Sequence, residues 1–205
     1  MQPISLLTEL INALRCLPGV GEKSSQRMAY HLLDNNRQGG ISLSDSLRAA
    51  MQGIGNCNRC RDYTENEQCI ICLNDKRDHS ILCVVESPSD VLAIESTATF
   101  SGKYFVLLGQ LSPLDGIGPE EIGIPLLSER LKEGDISEII VATSSTVEGE
   151  VTAHYIAQVA QQVENSLSCV SISVTRLAQG VPVGGELGYL DQSTLALSLA
   201  NRSEL

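Results

Sequence analysis

The chain has 205 residues, of which 42% are apolar and 3% aromatic, and its 25 Asp and Glu outnumber 14 Lys and Arg to give a net charge of −11. No apolar run reaches the roughly 18 residues that a membrane-spanning helix needs, so we expect a soluble, cytoplasmic protein. The absence of Trp and the low aromatic content argue against a surface that stacks the bases of single strands.

The charges are distributed unevenly along the chain. Residues 1–80 contain nine Lys and Arg and nine Asp and Glu, whereas residues 81–205 contain five against sixteen. The net negative charge therefore belongs to the second part, which should repel phosphate unless a cation or a basic partner intervenes. The neutral first part can still present a basic surface.

The first part of the chain is predicted to form three helices. Apolar residues recur at helical spacing in 5–16 and 22–33, and one proline and two glycines within 17–21 break the helix between them. A loop is predicted over 35–40, and a third helix over 44–54.

The segment 17–27, with the sequence LPGVGEKSSQR, resembles a helix–hairpin–helix. Gly19 and Gly21 allow a tight turn and leave N–H groups uncovered at the start of the next helix, where they can hold a phosphate oxygen of DNA. Lys23 and Arg27 share a helical face and would reach adjacent phosphates. The alternative is an ordinary corner between two helices with exposed charges. A P-loop is excluded because its spacing is missing and because a helix precedes the glycines.

Two C-x-x-C pairs follow, Cys57 with Cys60 and Cys69 with Cys72, and eight residues separate the pairs. Four thiolates at this spacing can surround one ion tetrahedrally, which predicts a structural zinc site. The alternatives are two disulfides or four unrelated buried cysteines. Since a closed four-sulfur site has no open position for a substrate, the zinc would hold structure and take no part in chemistry.

Beyond residue 80 short apolar runs alternate with helical stretches, which indicates a parallel α/β sheet. The predicted strands are 81–85, 104–108, 138–142 and 169–175, and the predicted helices are 88–95, 124–132 and 151–164. Glu86 ends the first of these strands, and Glu148 and Glu150 follow the third. Because the carboxyl ends of parallel strands meet at one edge, these carboxylates should lie there together. They could bind a cation weakly, face a basic partner or simply be solvated.

This edge resembles the Toprim fold of topoisomerases and bacterial primases, which holds magnesium with a glutamate after its first strand and an Asp-x-Asp pair after a later one. In the topoisomerase pattern the second motif runs Thr-Asp-x-Asp-x-Glu-Gly-Glu, and this chain keeps Thr143, Glu148, Gly149 and Glu150 of it. Ser144 and Thr146 stand where the pattern has its two aspartates. Hydroxyls are weak, neutral replacements for carboxylates as magnesium ligands, so we expect the conventional metal site to be lost and the protein not to be an enzyme.

In this order, the hairpin motif, the four cysteines and the degenerate Toprim segment are similar to the RecR family of bacterial recombination mediators, over about residues 3–202. Specific matching stretches are LSPLDGIG at 111–118, TVEGE at 146–150 and GVPVGGE at 180–186. The resemblance implies a non-catalytic role in DNA repair. Such proteins act with RecO, and in many bacteria RecF, to load the recombinase onto gapped DNA coated by single-strand-binding protein.

The resemblance also implies roles for single residues and an assembly. The two hairpin glycines, Lys23 and Arg27 would contact DNA, the four cysteines would hold one zinc ion per chain, and Glu86, Glu148 and Glu150 would lie on the face that meets RecO. Dimers would close into tetrameric rings with the hairpins toward a central hole, near the bacterial nucleoid. The alternative is a divergent Toprim nuclease or topoisomerase-like enzyme that uses the three glutamates with magnesium.

We therefore expect a multi-domain protein of the α plus α/β class. A helix–hairpin–helix region over 1–55 would precede a four-cysteine zinc finger over 56–78, called the cysteine finger below. A Toprim α/β domain with a mostly parallel sheet would follow over 79–176. A C-terminal helical segment over 177–205 would pack on the Toprim domain and take part in oligomer contacts.

Overall fold

The computed structural model describes residues 5–167, 171–178, 180–182 and 184–200. The chain divides into two compact units between Ile54 and Gly55, called the N-terminal and the C-terminal unit below. None of the helices in the described ranges is both long enough and apolar enough to cross a membrane.

The N-terminal unit consists of three helices, α1 over Leu6–Leu14, α2 over Glu22–Asn35 and α3 over Arg37–Gly53. The prediction of a loop over 35–40 is wrong, because α3 begins directly after Asn36. The Asn36 side chain accepts a hydrogen bond of 3.0 Å from the Gly39 N–H and so caps the new helix. Two glycines at 39 and 40 favour a loop by composition, but the cap and the packing of α3 against α2 override them.

The C-terminal unit begins with the cysteine finger. A two-residue hairpin of β1 (Gly55–Asn56) and β2 (Tyr63–Thr64) is followed by the short helix α4 (Ile70–Leu73). These elements are too small to bury an apolar core of their own, and the buried side chains among them are cysteines.

A four-stranded parallel sheet follows, with β3 over Ile81–Val85, β4 over Lys103–Val106, β5 over Glu138–Ala142 and β6 over Ser173–Arg176. The strand order is β4-β3-β5-β6, and all three pairings are parallel. Its helices are α5 (Pro88–Ser96), α6 (Ile124–Lys132) and α7 (Val147–Leu167), and α8 (Gln192–Ala200) lies near the end of the chain. The expected helix–hairpin–helix, four-cysteine cluster and parallel α/β sheet are thereby confirmed.

Both faces of the sheet are covered at β3 and β4, which explains why β3 is a continuous apolar run, whereas β6 at the edge of the described sheet is largely exposed. Leu82 and Val84 of β3 pack with residues of α6 and α7 on one face, whereas Cys83 and Val85 pack with Val91 of α5 on the other. β4 ends two residues earlier than predicted because Leu108 has a φ of 62°, which an extended strand cannot hold. Part of the predicted strand 169–175 lies outside the described residues.

Candidate functional site

The hairpin between α1 and α2 presents an open backbone surface. Gly19 has a φ of 76°, a left-handed conformation that favours glycine, and Gly21 forms the N-cap of α2 with extended backbone. No side chain caps α2 at this position, and a Cβ at either glycine would meet no atom within 4 Å. The amides at the start of α2 can therefore be approached closely by an anion.

The two predicted DNA-binding cations lie on the same helix as these amides. Lys23 and Arg27 are exposed on α2, whereas Ser25 and Ala29 of the same helix are buried. The helix thus turns its small side chains inward and its cations outward. The hairpin glycines and both cations consequently belong to one exposed region of the N-terminal unit.

The four predicted cysteines converge in the cysteine finger. Their Sγ atoms all lie within 4.8 Å of one another, and Cys57, Cys60 and Cys69 are buried. Four sulfurs bound to one zinc ion at about 2.3 Å would lie about 3.8 Å apart, so the cluster is close to the size that a tetrahedral site requires. All four cysteines are free, which removes the disulfide alternative.

Backbone N–H groups of the finger donate to two of the four sulfurs. The Cys69 N–H donates to Cys57 Sγ at 3.3 Å, and the Cys72 N–H donates to Cys69 Sγ at 3.5 Å. Cys60 and Cys69 share a hydrogen bond of 3.5 Å between their sulfurs, which lowers the pKa of Cys69 and raises that of Cys60. Hydrogen bonds to a thiolate favour the ionised form, which is the form that binds a metal.

Two buried cations of the sheet region donate hydrogen bonds to backbone carbonyls of the finger. Lys103 of β4 is only 2% exposed, and its Nζ donates to the carbonyls of Ile71, Cys72 and Asn74 at 3.1, 3.0 and 2.9 Å. Arg130 of α6 donates to the Arg59 carbonyl at 2.8 Å and to a carbonyl of β4. Within the described residues neither cation has a carboxylate at ion-pair distance, although burial lowers the pKa of both.

A metal bound by the cysteines accounts for these unpaired cations. A divalent ion with four thiolates carries a charge of −2, and two buried cations beside it balance that charge. Asp75 acts electrostatically on Lys103, and Asp135 on Arg130, each from beyond ion-pair distance, so the two cations are only partly compensated by carboxylates. The chemistry of Lys103 and Arg130 therefore fits a dianionic metal centre better than four neutral thiols.

Arg59 and Arg61 fasten the finger to the sheet region. Arg59 donates to both carboxylate oxygens of Glu133 at 2.6 and 2.7 Å, which holds the pKa of Glu133 below its usual value. Arg61 donates to the carbonyls of Leu107, at 2.9 Å, and of Ile122. The finger and the sheet are therefore joined by charge-assisted hydrogen bonds.

At the carboxyl edge of the sheet, two of the three predicted glutamates belong to one network. Glu86 Oε1 accepts a hydrogen bond of 2.8 Å from the Ser144 N–H. The carbonyl of Ser144 accepts one of 3.1 Å from Arg176 at the end of β6, and Arg176 also forms an ion pair with Glu150. Glu148 lies partly buried in the first turn of α7.

The hydroxyls that replace the two aspartates bond to neighbouring protein groups. Ser144 Oγ lies 2.8 Å from Thr146 Oγ1, and Thr146 Oγ1 accepts a hydrogen bond of 3.1 Å from the Gly149 N–H. In the part of the chain that the structure describes, the cysteines are the one set of three or more potential ligands close enough to share an ion. The three glutamates do not form such a set.

Sequence reasoning missed five functional cations: Arg59, Arg61, Lys103, Arg130 and Arg176. Each lies next to a predicted helix or strand, or next to a cysteine of the predicted metal site. A single charged residue in such a position gives no sign in the sequence that its side chain turns inward. Scarcity was the only available signal, and it applies to Lys103, Arg130 and Arg176 alone, since residues 81–205 contain five Lys and Arg in all.

Comparison with known proteins agrees with this architecture. Three family profiles match the chain: "RecR, helix-hairpin-helix" over residues 7–51, "Toprim domain" over 80–175 and "RecR, C-terminal" over 180–203. Two curated relatives are proteins named "Recombination protein RecR" from Xanthomonas campestris pv. campestris, strains 8004 and ATCC 33913. Each is 54% identical over 201 residues, which cover 98% of both chains. Both relatives are named as recombination proteins.

Proposed function

This chain belongs to the RecR family of recombination proteins, and we propose that it acts as a mediator that binds DNA and helps to load a recombinase. In this proposal it works in the bacterial cytoplasm, at the nucleoid, with RecO and RecF as protein partners. The DNA is gapped or contains a junction of double and single strands, and single-strand-binding protein covers it. The observation that carries the proposal is the open hairpin with two exposed cations beside it.

The hairpin provides two kinds of phosphate contact. The uncapped amides that follow Gly21 at the start of α2 can hold one phosphate oxygen, and Lys23 and Arg27 can reach the neighbouring phosphates. Such contacts position a protein on DNA without reading its sequence. This suits a mediator that must act wherever a gap occurs.

We infer that the ion held by Cys57, Cys60, Cys69 and Cys72 is one zinc per chain. Four sulfur ligands without an open position are typical of structural zinc, and the buried cations nearby suit its thiolate complex. Zinc bound there would hold the cysteine finger against the sheet. It would supply no catalytic chemistry.

The acidic edge of the sheet is the proposed surface for RecO. Glu86, Glu148 and Glu150 lie there, and next to them Val147 is exposed at the start of α7. An apolar side chain among carboxylates suits a basic partner, which could also contribute the DNA affinity that this half of the protein lacks.

The proposed assembly is a dimer that closes into a tetrameric ring. Helix α3 exposes Ile41, Leu47 and Met51, and no described residue of α1 or α3 is buried within the single chain. Exposed apolar side chains in this number indicate a surface that another protein covers. A ring would also gather several hairpins around one DNA, so that weak contacts add through effective concentration.

The salt dependence of DNA binding tests the hairpin. The logarithm of the binding constant falls with the logarithm of salt concentration by about 0.7 per phosphate contact on single strands and about 0.9 on duplex DNA. The double variant Lys23→Ala with Arg27→Ala should therefore flatten this slope by about 1.4 to 1.8 for each subunit that contacts DNA. A charge-matched control, Lys76→Ala with Lys132→Ala, alters two exposed lysines elsewhere and should leave the slope unchanged. An equal slope in the hairpin variant and the wild type would remove the hairpin from the interface.

A further inference from the structure

Arg176 is an unusual residue in its surroundings. Residues 81–205 contain sixteen acidic side chains and five Lys or Arg: Lys103, Arg130, Lys132, Arg176 and Arg202. Lys103 and Arg130 are directed to the cysteine finger, Lys132 pairs with Glu129 on α6, and Arg202 lies outside the described residues. Arg176 is the one described cation of this part of the chain at the carboxyl edge of the sheet.

The position of Arg176 is determined by the sheet. It is the last residue of β6 and pairs in parallel register with Val141 of β5, so its side chain emerges beside the loop that follows β5. One guanidinium nitrogen forms an ion pair with Glu150 in the first turn of α7, and the other donates to the Ser144 carbonyl at 3.1 Å. The guanidinium thus bridges α7 and the loop.

The second carboxylate of this edge is tied to the same loop residue. Glu86 Oε1 accepts a hydrogen bond of 2.8 Å from the Ser144 N–H, on the other side of the peptide chain from β6. Glu86 and Glu150 are therefore linked through Ser144 and Arg176. Carboxylates gathered at the carboxyl edge of parallel strands commonly bind a divalent cation, but here an organic cation is already in place.

We propose that Arg176 is the resident cation of this edge, and that its guanidinium excludes a divalent ion from the carboxylates. The positive charge lowers the negative potential that would attract a metal ion. The bond to Glu150 also occupies an oxygen that a metal would need. Because the two aspartates are missing, the carboxylates of Glu86 and Glu150 would give a weaker divalent site than a conventional Toprim pair, and the guanidinium of Arg176 is the remaining obstacle to that weaker site.

Binding of Mn²⁺ to the zinc-loaded, full-length protein tests this proposal. Mn²⁺ can be followed by electron paramagnetic resonance, and it prefers oxygen ligands, so it should not displace zinc from the four thiolates. We expect the wild type and Arg176→Lys to show weak surface binding only. Arg176→Gln should gain one site per chain and bind at least about tenfold more tightly, the factor that corresponds to about 1.4 kcal/mol. Arg176→Gln combined with Glu150→Gln should lose that site.

These comparisons separate an excluded metal from a purely structural ion pair. If Arg176 only ties β6 to α7, its loss lowers the melting temperature but leaves Mn²⁺ binding at the wild-type level, and the proposal is overturned. One tightly bound Mn²⁺ per chain in the wild type would also overturn it, and this measurement is informative even if Arg176→Gln folds poorly. The result does not depend on DNA binding, so it stands or falls separately from the proposed mediator role.

Discussion

Replacing the buried Lys103 by Met should destabilise the C-terminal unit and weaken its hold on the metal. Met is similar in length but offers neither a charge nor a donor, so three carbonyls of the cysteine finger lose their partner. Charge-assisted hydrogen bonds contribute about 1.5–3 kcal/mol each. Because Met carries no charge, the variant avoids the cost of burying an ammonium group, and this offsets several kcal/mol of the loss. We expect a net loss of about 2–4 kcal/mol in the free energy of unfolding.

The metal-dependent part of the loss can be estimated separately. Two unit charges about 4–10 Å apart interact by about 2–4 kcal/mol at an effective dielectric constant of 20. If Lys103 balances the charge of the metal–thiolate centre, the metal-loaded protein should lose about this much more than the metal-free protein. By linkage, the same difference appears as about a 100-fold weaker metal affinity.

Two measurements check these values. Denaturant unfolding of the loaded and the chelated protein gives the two free energies, and a chromogenic chelator reports the rate of metal release. Lys132→Met is the matched control, because this exposed lysine pairs only with Glu129 on its own helix and should change stability by less than about 0.5 kcal/mol. If Lys103→Met lost equal stability in its loaded and its chelated form, charge compensation would be refuted. It would also be refuted if Lys103→Met released the metal at the same rate as the wild type.

Three further predictions concern the metal, a close backbone contact and pH. Chelation of the metal should lower the melting temperature of the protein, and an unchanged melting curve would count against a structural ion. Gly149→Ala should cost about 3 kcal/mol, because a Cβ there would lie 2.2 Å from the Ser144 carbonyl oxygen. Gly188→Ala, where a Cβ meets nothing within 4 Å, should be nearly neutral by the same thermal assay. The depressed pKa of Glu133 means that its bond to Arg59 stabilises the protein at neutral pH, and that this contribution disappears as pH falls below the ordinary value of 4.5. Wild type and Glu133→Gln should therefore differ in melting temperature at pH 7, and the difference should shrink as the pH falls below 4.5; a constant difference would contradict the assignment.

Local pattern predicted the elements of this protein well, because their signals are short-range. The strand Ile81–Val85 and the helix Ile124–Lys132 were predicted with their observed bounds, since apolar runs and helical spacing reflect burial directly. The spacing of the cysteines predicted their convergence for the same reason: a C-x-x-C pair can direct both sulfurs to one point. The start of helix α3 was predicted seven residues too late, at 44 instead of Arg37, because Asn36 and the two glycines after it are typical of a loop.

The buried cations could not be predicted in this way. Lys103 stands at the first position of its strand, where a lysine is ordinarily taken for a solvated end residue. Its side chain turns inward because α4 and the residue that follows it, about thirty residues earlier in the chain, present three carbonyls to it. Arg176 follows the same rule, since its partners Ser144 and Glu150 come from another strand–helix connection. Tertiary contacts of this kind produce no periodic pattern of residues from which they could be predicted.

The described cations beyond residue 80 are bonded to groups of the protein itself, and this indicates which part of the chain is left to bind DNA. Of the five Lys and Arg beyond residue 80, Lys103, Arg130 and Arg176 serve carbonyls, the metal centre or a glutamate, and Lys132 pairs with a neighbouring carboxylate. The described surface of this part of the chain therefore offers phosphate almost no positive charge. DNA affinity must then come from the N-terminal unit, whose five Lys and Arg are nearly balanced by four Asp and Glu. In the proposed ring several copies would act on one DNA molecule, so mixing hairpin variants into the oligomer should lower DNA affinity more steeply than it lowers the fraction of wild-type subunits.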